Sequence, residues 1–153
     1  MNALELRLPP LALLVISGAL IGLIALGTPP LTWGYTTRVG IGASAAIAGL
    51  LIAWSGVVSF RRARTTVNPL HPEAASALVA GGIYRYTRNP MYLGMLLVLL
   101  GWSVYLARPW ALAVLTAFVV YMTRFQIRPE ERALERIFGG EFEAYRRTVR
   151  RWL

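Results

Sequence analysis

Gly81-Gly82-Ile83-Tyr84-Arg85-Tyr86-Thr87-Arg88-Asn89-Pro90-Met91-Tyr92-Leu93-Gly94 is a polar, aromatic and arginine-bearing loop that runs straight into an apolar helix. No other stretch of the 153 residues is as dense in chemistry. Asn89 followed by Pro90 predicts the helix start, because an Asn side chain can accept from an unpaired amide of the first turn and proline suits the first helical position. The positive end of that helix and its free amides then lie close to Arg85 and Arg88, a setting for a carboxylate or phosphate. Gly81 and Gly82 let a ligand approach the backbone, and Tyr84, Tyr86 and Tyr92 offer flat faces to a ring or a cation. An interfacial loop is the other reading, since arginines and tyrosines gather wherever a membrane helix meets water.

Outward from this loop the chain is largely apolar. No charge stands between Arg7 and Arg38, nor between Arg38 and Arg61, and each run exceeds the roughly 20 residues that cross a bilayer core of about 30 Å. With 56% hydrophobic and only 15% charged residues, the composition is that of an integral membrane protein and not of a soluble domain. The formal charge of +9 would in isolation suggest nucleic acid. Every basic residue is arginine, however, and the arginines follow the ends of the apolar runs, so positive-inside bias accounts for the charge without nucleic acid. Cysteine and aspartate are absent and His71 is the single histidine. Disulfides, a thiolate nucleophile and a cysteine- or histidine-rich metal site are thereby excluded. Carboxylate chemistry falls to Glu5, Glu73, Glu130, Glu131, Glu135, Glu141 and Glu143.

The pattern predicts an all-α membrane domain spanning residues 1–153, with about four transmembrane helices plus cytoplasmic interfacial helices. Residues 1–64 hold two of the spans. The first runs from Leu8 to Leu26, with Ser17, Gly18 and Gly22 placed for close approach of a neighbouring helix. A cleaved signal peptide is the rival, disfavoured by the thin positive lead and by Thr28-Pro29-Pro30 at the cleavage position. Gly27 to Thr37 is an interfacial turn bearing Trp33 and Tyr35. The second span runs from Val39 to Phe60, with Gly42, Gly49 and Gly56 recurring every seven residues along a packing face. Arg61, Arg62 and Arg64 mark its cytoplasmic end.

Residues 65–153 form the chemical core. Thr65 to Ala80 is broken by Asn68-Pro69 and His71-Pro72 and leads into a short helical piece from Pro72 to Val79. His71 is a candidate general base by its near-neutral pKa, or a plain loop residue. The third span, Pro90 to Leu106, is near the lower length limit and carries Gly94 and Gly101 on one face. A tight hairpin at Ala107-Arg108-Pro109-Trp110 leads into the fourth, Pro109 to Ile127. Four spans place both termini on the cytoplasmic side, with only Arg38 and Arg108 opposite.

After Arg128, Pro129 opens a further helix whose first turn is Glu130-Glu131, where acidic side chains complement the helix dipole. Both carboxylates border the apolar stripe of Leu134, Ile137 and Phe138, so they face protein and not water. Arg128, Arg132 and Arg136 lie away from that stripe, placed for anionic headgroups. Gly139-Gly140 ends the helix, and Glu141 to Trp152 reads as an interfacial amphipathic helix.

Arg88-Asn89-Pro90-Met91-Tyr92-Leu93-Gly94, preceded by Gly81-Gly82-Ile83-Tyr84 and followed about forty residues later by Glu130-Glu131 and Phe138-Gly139-Gly140-Glu141-Phe142-Glu143-Ala144-Tyr145, resembles the isoprenylcysteine carboxyl methyltransferase and phospholipid methyltransferase superfamily. The resemblance runs from about Thr65 to the C-terminus. Its signature reads Arg-His-Pro-x-Tyr-x-Gly, and Asn89 stands where the eukaryotic carboxyl methyltransferases usually have histidine. The resemblance implies an integral membrane enzyme that uses S-adenosyl-L-methionine on a lipid-like or prenylcysteine-type acceptor, in a bacterial inner membrane. It implies a cofactor site from Tyr84, Arg88, Asn89, Pro90, Tyr92, Gly94, Glu130, Glu131 and Tyr145, with Arg88, Asn89 and Glu131 as catalytic candidates. Direct displacement from a sulfonium needs alignment and exclusion of water, and no nucleophilic side chain, so the lack of Cys and Asp fits. A membrane reductase of the sterol-reductase type, using NADPH, shares a similar arginine and proline-tyrosine signature. A non-catalytic membrane scaffold is the third reading. The acceptor and the oligomeric state stay open.

Overall fold

Gly42, Gly49 and Gly56 set how closely the two longest-paired helices approach. In this computed structural model, which describes residues 5–65 and 75–153, α2 (Tyr35–Arg62) runs antiparallel to α3 (Pro90–Leu106). A methyl group added to Gly42 would meet the Gly101 carbonyl at 2.8 Å, one on Gly49 the Gly94 carbonyl at 2.5 Å, and one on Gly56 the Met91 side chain at 2.9 Å. The absence of three Cβ atoms is therefore what brings the backbones together, and the contact extends along the whole of α3.

α1 (Pro10–Gly27) packs against α3 and α4 (Ala111–Tyr121), but not through its glycines. Ile21, fully buried, is its main contribution to the core, and a methyl on Gly22 would meet nothing within 4 Å. The Gly18 carbonyl accepts instead from the Trp102 indole at 3.2 Å. The spacing of small residues on α1 thus does not produce the close approach it predicts. Gly22→Ala is expected to be neutral or to stabilise by about 0.5–1 kcal/mol through the helix preference of alanine, read as an unchanged or raised melting temperature in detergent.

The fourth span departs from expectation at its lower end. Instead of stopping at Ile127 and reopening at Pro129, the chain continues from α4 through a π-helical turn, Met122–Ile127, into α5 (Arg128–Phe138) without a break. Proline brings no amide to the helix ladder, and the Phe125 carbonyl, four residues before Pro129, accepts from the Leu6 amide at 3.0 Å. The wide turn and the N-terminal segment together accommodate the proline. Gly139, at φ +50°, closes α5, and α6 (Gly140–Thr148) follows.

The described residues are all helix, turn and loop, without a strand. α1, α2 and the continuous helix Ala111–Phe138 are each long and apolar enough to cross a membrane, and α3 is a shorter apolar helix of 17 residues. The chain is an all-α membrane protein. His71 and most of the helical piece predicted from Pro72 lie outside the described residues. Residues 75–80 are not helical, which corrects the rest of that expectation.

Candidate functional site

Three segments remote in sequence meet where α2 ends and α3 begins. The first is the loop before α3. Its 3₁₀ turn, Gly82–Arg85, buries Tyr84, whose ring meets Phe60 of α2 edge-on at a centroid distance of 5.5 Å. The Tyr84 carbonyl accepts from the Tyr145 hydroxyl of α6 at 2.8 Å. Burial pushes the Tyr84 and Tyr145 phenols up from their ordinary values, so both act as neutral hydroxyls.

The second segment is the chain end. Arg88 donates its backbone amide to the Arg150 carbonyl at 3.0 Å, and Nη1 to the carbonyls of Arg146 at 2.9 Å and Val149 at 3.0 Å. Thr87 Oγ1 and Asn89 Nδ2 both donate to the Arg151 carbonyl, at 3.3 and 2.9 Å. The Trp152 indole reaches Thr123 Oγ1 at 3.1 Å. Residues 87–89 thus hold the tail by its main chain. Asn89 does occupy the N-cap of α3, but its side chain makes no capping bond. It turns to the tail because an amide donor meets a free carbonyl there.

The third segment is the first turn of α5. Glu131 accepts from Arg88 Nη2 at 2.9 Å on Oε1, and from Arg151 Nε at 3.1 Å on Oε1 and Nη2 at 2.7 Å on Oε2. One carboxylate therefore ties the loop to the tail. Glu130 Oε1 accepts from the Tyr92 hydroxyl at 2.5 Å and from Gln126 Nε2 at 2.7 Å. These elements enclose a cavity of about 90 Å³. Seven of the nine predicted site residues line it: Tyr84, Arg88, Asn89, Tyr92, Glu130, Glu131 and Tyr145.

Pro90 and Gly94 do not line it. Pro90 is buried beside Gly56, and Gly94 packs on Gly49. Arg85 and Tyr86 are exposed, away from the pocket, because the 3₁₀ turn sends Tyr84 inward and its successors outward. Arg88 Nε is buried without a hydrogen-bond partner.

Residues 37–141 match the phospholipid methyltransferase family. The chain belongs to that family. It is similar to a probable protein-S-isoprenylcysteine O-methyltransferase of Oryza sativa subsp. indica, 34% identical over 112 residues that cover 71% of this chain and 57% of the relative. It is also similar to protein-S-isoprenylcysteine O-methyltransferase A of Arabidopsis thaliana, 31% identical over 106 residues, 67% of this chain and 52% of the relative. An uncharacterized protein of Haemophilus influenzae is 43% identical over 63 residues, 41% of this chain and 100% of that one. The chain spans about half the length of the plant relatives it matches. No solved structure matches it significantly.

Membership of the phospholipid methyltransferase family gives position 89 a simple physical reading. A histidine N–H and an Asn amide can both donate to the tail carbonyl. Asn89→His is expected to keep the tail docked, whereas Asn89→Leu leaves the Arg151 carbonyl without this donor and costs about 1–3 kcal/mol. Thermal melting of the two variants in the same detergent measures the difference.

Sequence reasoning missed Gln126, Thr87 and Arg151. Gln126 stands four residues before Glu130 on the helix, a spacing that does predict the contact. Thr87 and Arg151 meet through a backbone carbonyl, which no residue type announces. The wall formed by Ala75, Ala77, Leu78 and Val79 was missed because these residues read as part of a short helix.

Proposed function

We propose that this chain is a membrane methyltransferase that takes its methyl group from S-adenosyl-L-methionine and passes it to a lipid-like or prenylcysteine-type acceptor. The observation that carries the reading is a cavity that brings Glu130 and three tyrosines together with Arg88, whose buried Nε has no hydrogen-bond partner. Such a site offers a cation for a carboxylate, a carboxyl group for a hydroxyl or amine, and aromatic rings for a sulfonium. Bound there, S-adenosyl-L-methionine would supply an electrophilic methyl group, to which an acceptor oxygen, nitrogen or sulfur would bond as the carbon–sulfur bond breaks and S-adenosylhomocysteine leaves.

The protein's own work is then to bind, orient and keep water out. Arg88 Nε takes the carboxylate while Nη1 and Nη2 stay fixed on the tail and on Glu131. Glu130, held through Oε1 by Tyr92 and Gln126, offers Oε2 to a hydroxyl or amine. Tyr84, Tyr92, Phe142 and Tyr145 wall the pocket. The enclosed volume of about 90 Å³ is below the roughly 300–1,000 Å³ of sites that take a whole ligand. Occupancy therefore requires the pocket wall to move outward.

Arginine placement supports an orientation with this site and both termini in the cytoplasm of a bacterium, the chain lying in its inner membrane. The acceptor approaches from the bilayer. Isothermal titration of the detergent-purified protein with S-adenosylhomocysteine, with NADPH in a parallel cell, tests the reading. Binding of the homocysteine compound alone is expected. Binding of NADPH alone would move the chain to the reductases, and silence from both in folded protein would favour a scaffold.

A further inference from the structure

A second cavity lies at the opposite end of the bundle, one full α3 away, which is roughly 25 Å for 17 residues. It measures about 160 Å³ and is walled by Leu31 and Trp33 from the α1–α2 connection, by Leu100 and Val104 of α3, by Leu112 of α4, and by Arg108. Apart from Arg108 and Ser103 the lining is apolar, and Ser103 spends its hydroxyl on the Leu99 carbonyl at 2.8 Å. Arg108 Nη1 donates to the Thr28 carbonyl, and the Leu31 amide donates to the Ala107 carbonyl at 2.9 Å. The α1–α2 connection is thus pinned over the groove. Arg108 Nε is buried without a partner.

Arg38 adds a second cation at this end. It stands one turn before Gly42, which packs on Gly101 and Tyr105 of α3, and its Nε is also buried and unpartnered. No described glutamate is near. Glu5 pairs with Arg132 of α5, Glu130 and Glu131 line the first cavity, Glu135 pairs with Arg146, and Glu141 and Glu143 are on α6. Trp33, Tyr35 and Trp110 are exposed here, the aromatic belt that marks headgroup depth.

We infer that this groove binds an anionic phospholipid, with Arg108 on its phosphate and an acyl chain along Leu100, Val104 and Leu112. A guanidinium fork matches phosphate oxygens. The apolar walls lie on membrane-crossing elements, so the ligand brings hydrocarbon together with its charge. Without a carboxylate to meet an ammonium group, a zwitterionic headgroup gains less than one of net negative charge. This site is independent of the methyl-transfer cavity and of the reaction proposed there.

The test is tryptophan-fluorescence melting of the detergent-purified chain against dioctanoyl phosphatidylglycerol, dioctanoyl phosphatidylcholine and glycerol phosphate. Phosphatidylglycerol is expected to bind about tenfold more tightly than phosphatidylcholine, whose ammonium group offsets the attraction of its phosphate to the arginine, and glycerol phosphate is expected not to shift the melt. Arg108→Gln should bring phosphatidylglycerol down to the phosphatidylcholine level. Leu112→Trp, which fills the groove and leaves both guanidinium groups intact, should weaken it as well and decides the matter if the arginine variant does not fold. Equal affinity for both lipids, a shift with glycerol phosphate matching that of the lipid, or undiminished phosphatidylglycerol preference in the folded variants would overturn the inference.

Discussion

Glu131→Gln is expected to unfasten the tail and to abolish binding of S-adenosylhomocysteine. Among the described residues the carboxylate is the one acidic partner of the Arg88 guanidinium, whose side chain is only 9% exposed against 13% for Glu131. Removing one member of a buried ion pair costs about 3–5 kcal/mol, because the other charge stays behind. A neutral amide can accept hydrogen bonds, yet it cannot compensate two guanidinium groups. The loss is measured by melting temperature and by faster tryptic cleavage at Arg150 and Arg151. Glu130→Gln is the control. Its amide oxygen still accepts from Tyr92 and Gln126, so the tail should stay docked and any loss of binding belongs to the cavity itself. Equal protease resistance of the Glu131 variant and the parent would remove Glu131 from this role.

Gly49→Ala is expected to damage the described chain interior severely. The new carbon falls 2.5 Å from the Gly94 carbonyl and 3.0 Å from Leu97 Cβ, and a backbone on a packed helix cannot step aside as a flexible side chain would. Overpacking of this kind costs on the order of 3 kcal/mol. The α2–α3 pair must separate, and since Phe60 and Met91 of that pair also wall the first cavity, product binding should fall with stability. Parallel melting curves for Gly49→Ala and Gly22→Ala, with a large drop only in the first, check the assignment.

The packing faces of α2 and α3 were legible as glycines seven apart on each helix, but not that these two faces meet each other within one chain, because small residues alone do not choose a partner. The same reasoning failed on α1. Small residues permit close approach but do not compel it, and there the neighbour is reached through Ile21 and Trp102 instead. The inward facing of Glu130 and Glu131 was legible from their distance to Leu134. The direction of Arg88 was legible too, but not its partners. Four carbonyls of the tail take the donors of residues 87–89, and a carbonyl is common to every residue. Pro129 misled for a different reason. A proline after a polar turn opens helices more often than it sits inside one, and what tips the balance here is an acceptor filled from Leu6, far away in sequence.

The wide turn at Met122–Ile127 has a bearing on how this chain should be aligned with others. Glu130 stands eight residues after the buried Met122, and in an unbroken α-helix that separation would leave it about 80° round from the core-facing side. The turn absorbs one extra residue, so the two halves of the helix are out of phase in numbering and in phase in space. A relative with a plain helix at this point would need one residue fewer to present its carboxylate at the same place. A one-residue gap in this stretch is therefore a conservative change, whereas a one-residue gap between Arg128 and Glu131 would rotate the carboxylates off the cavity.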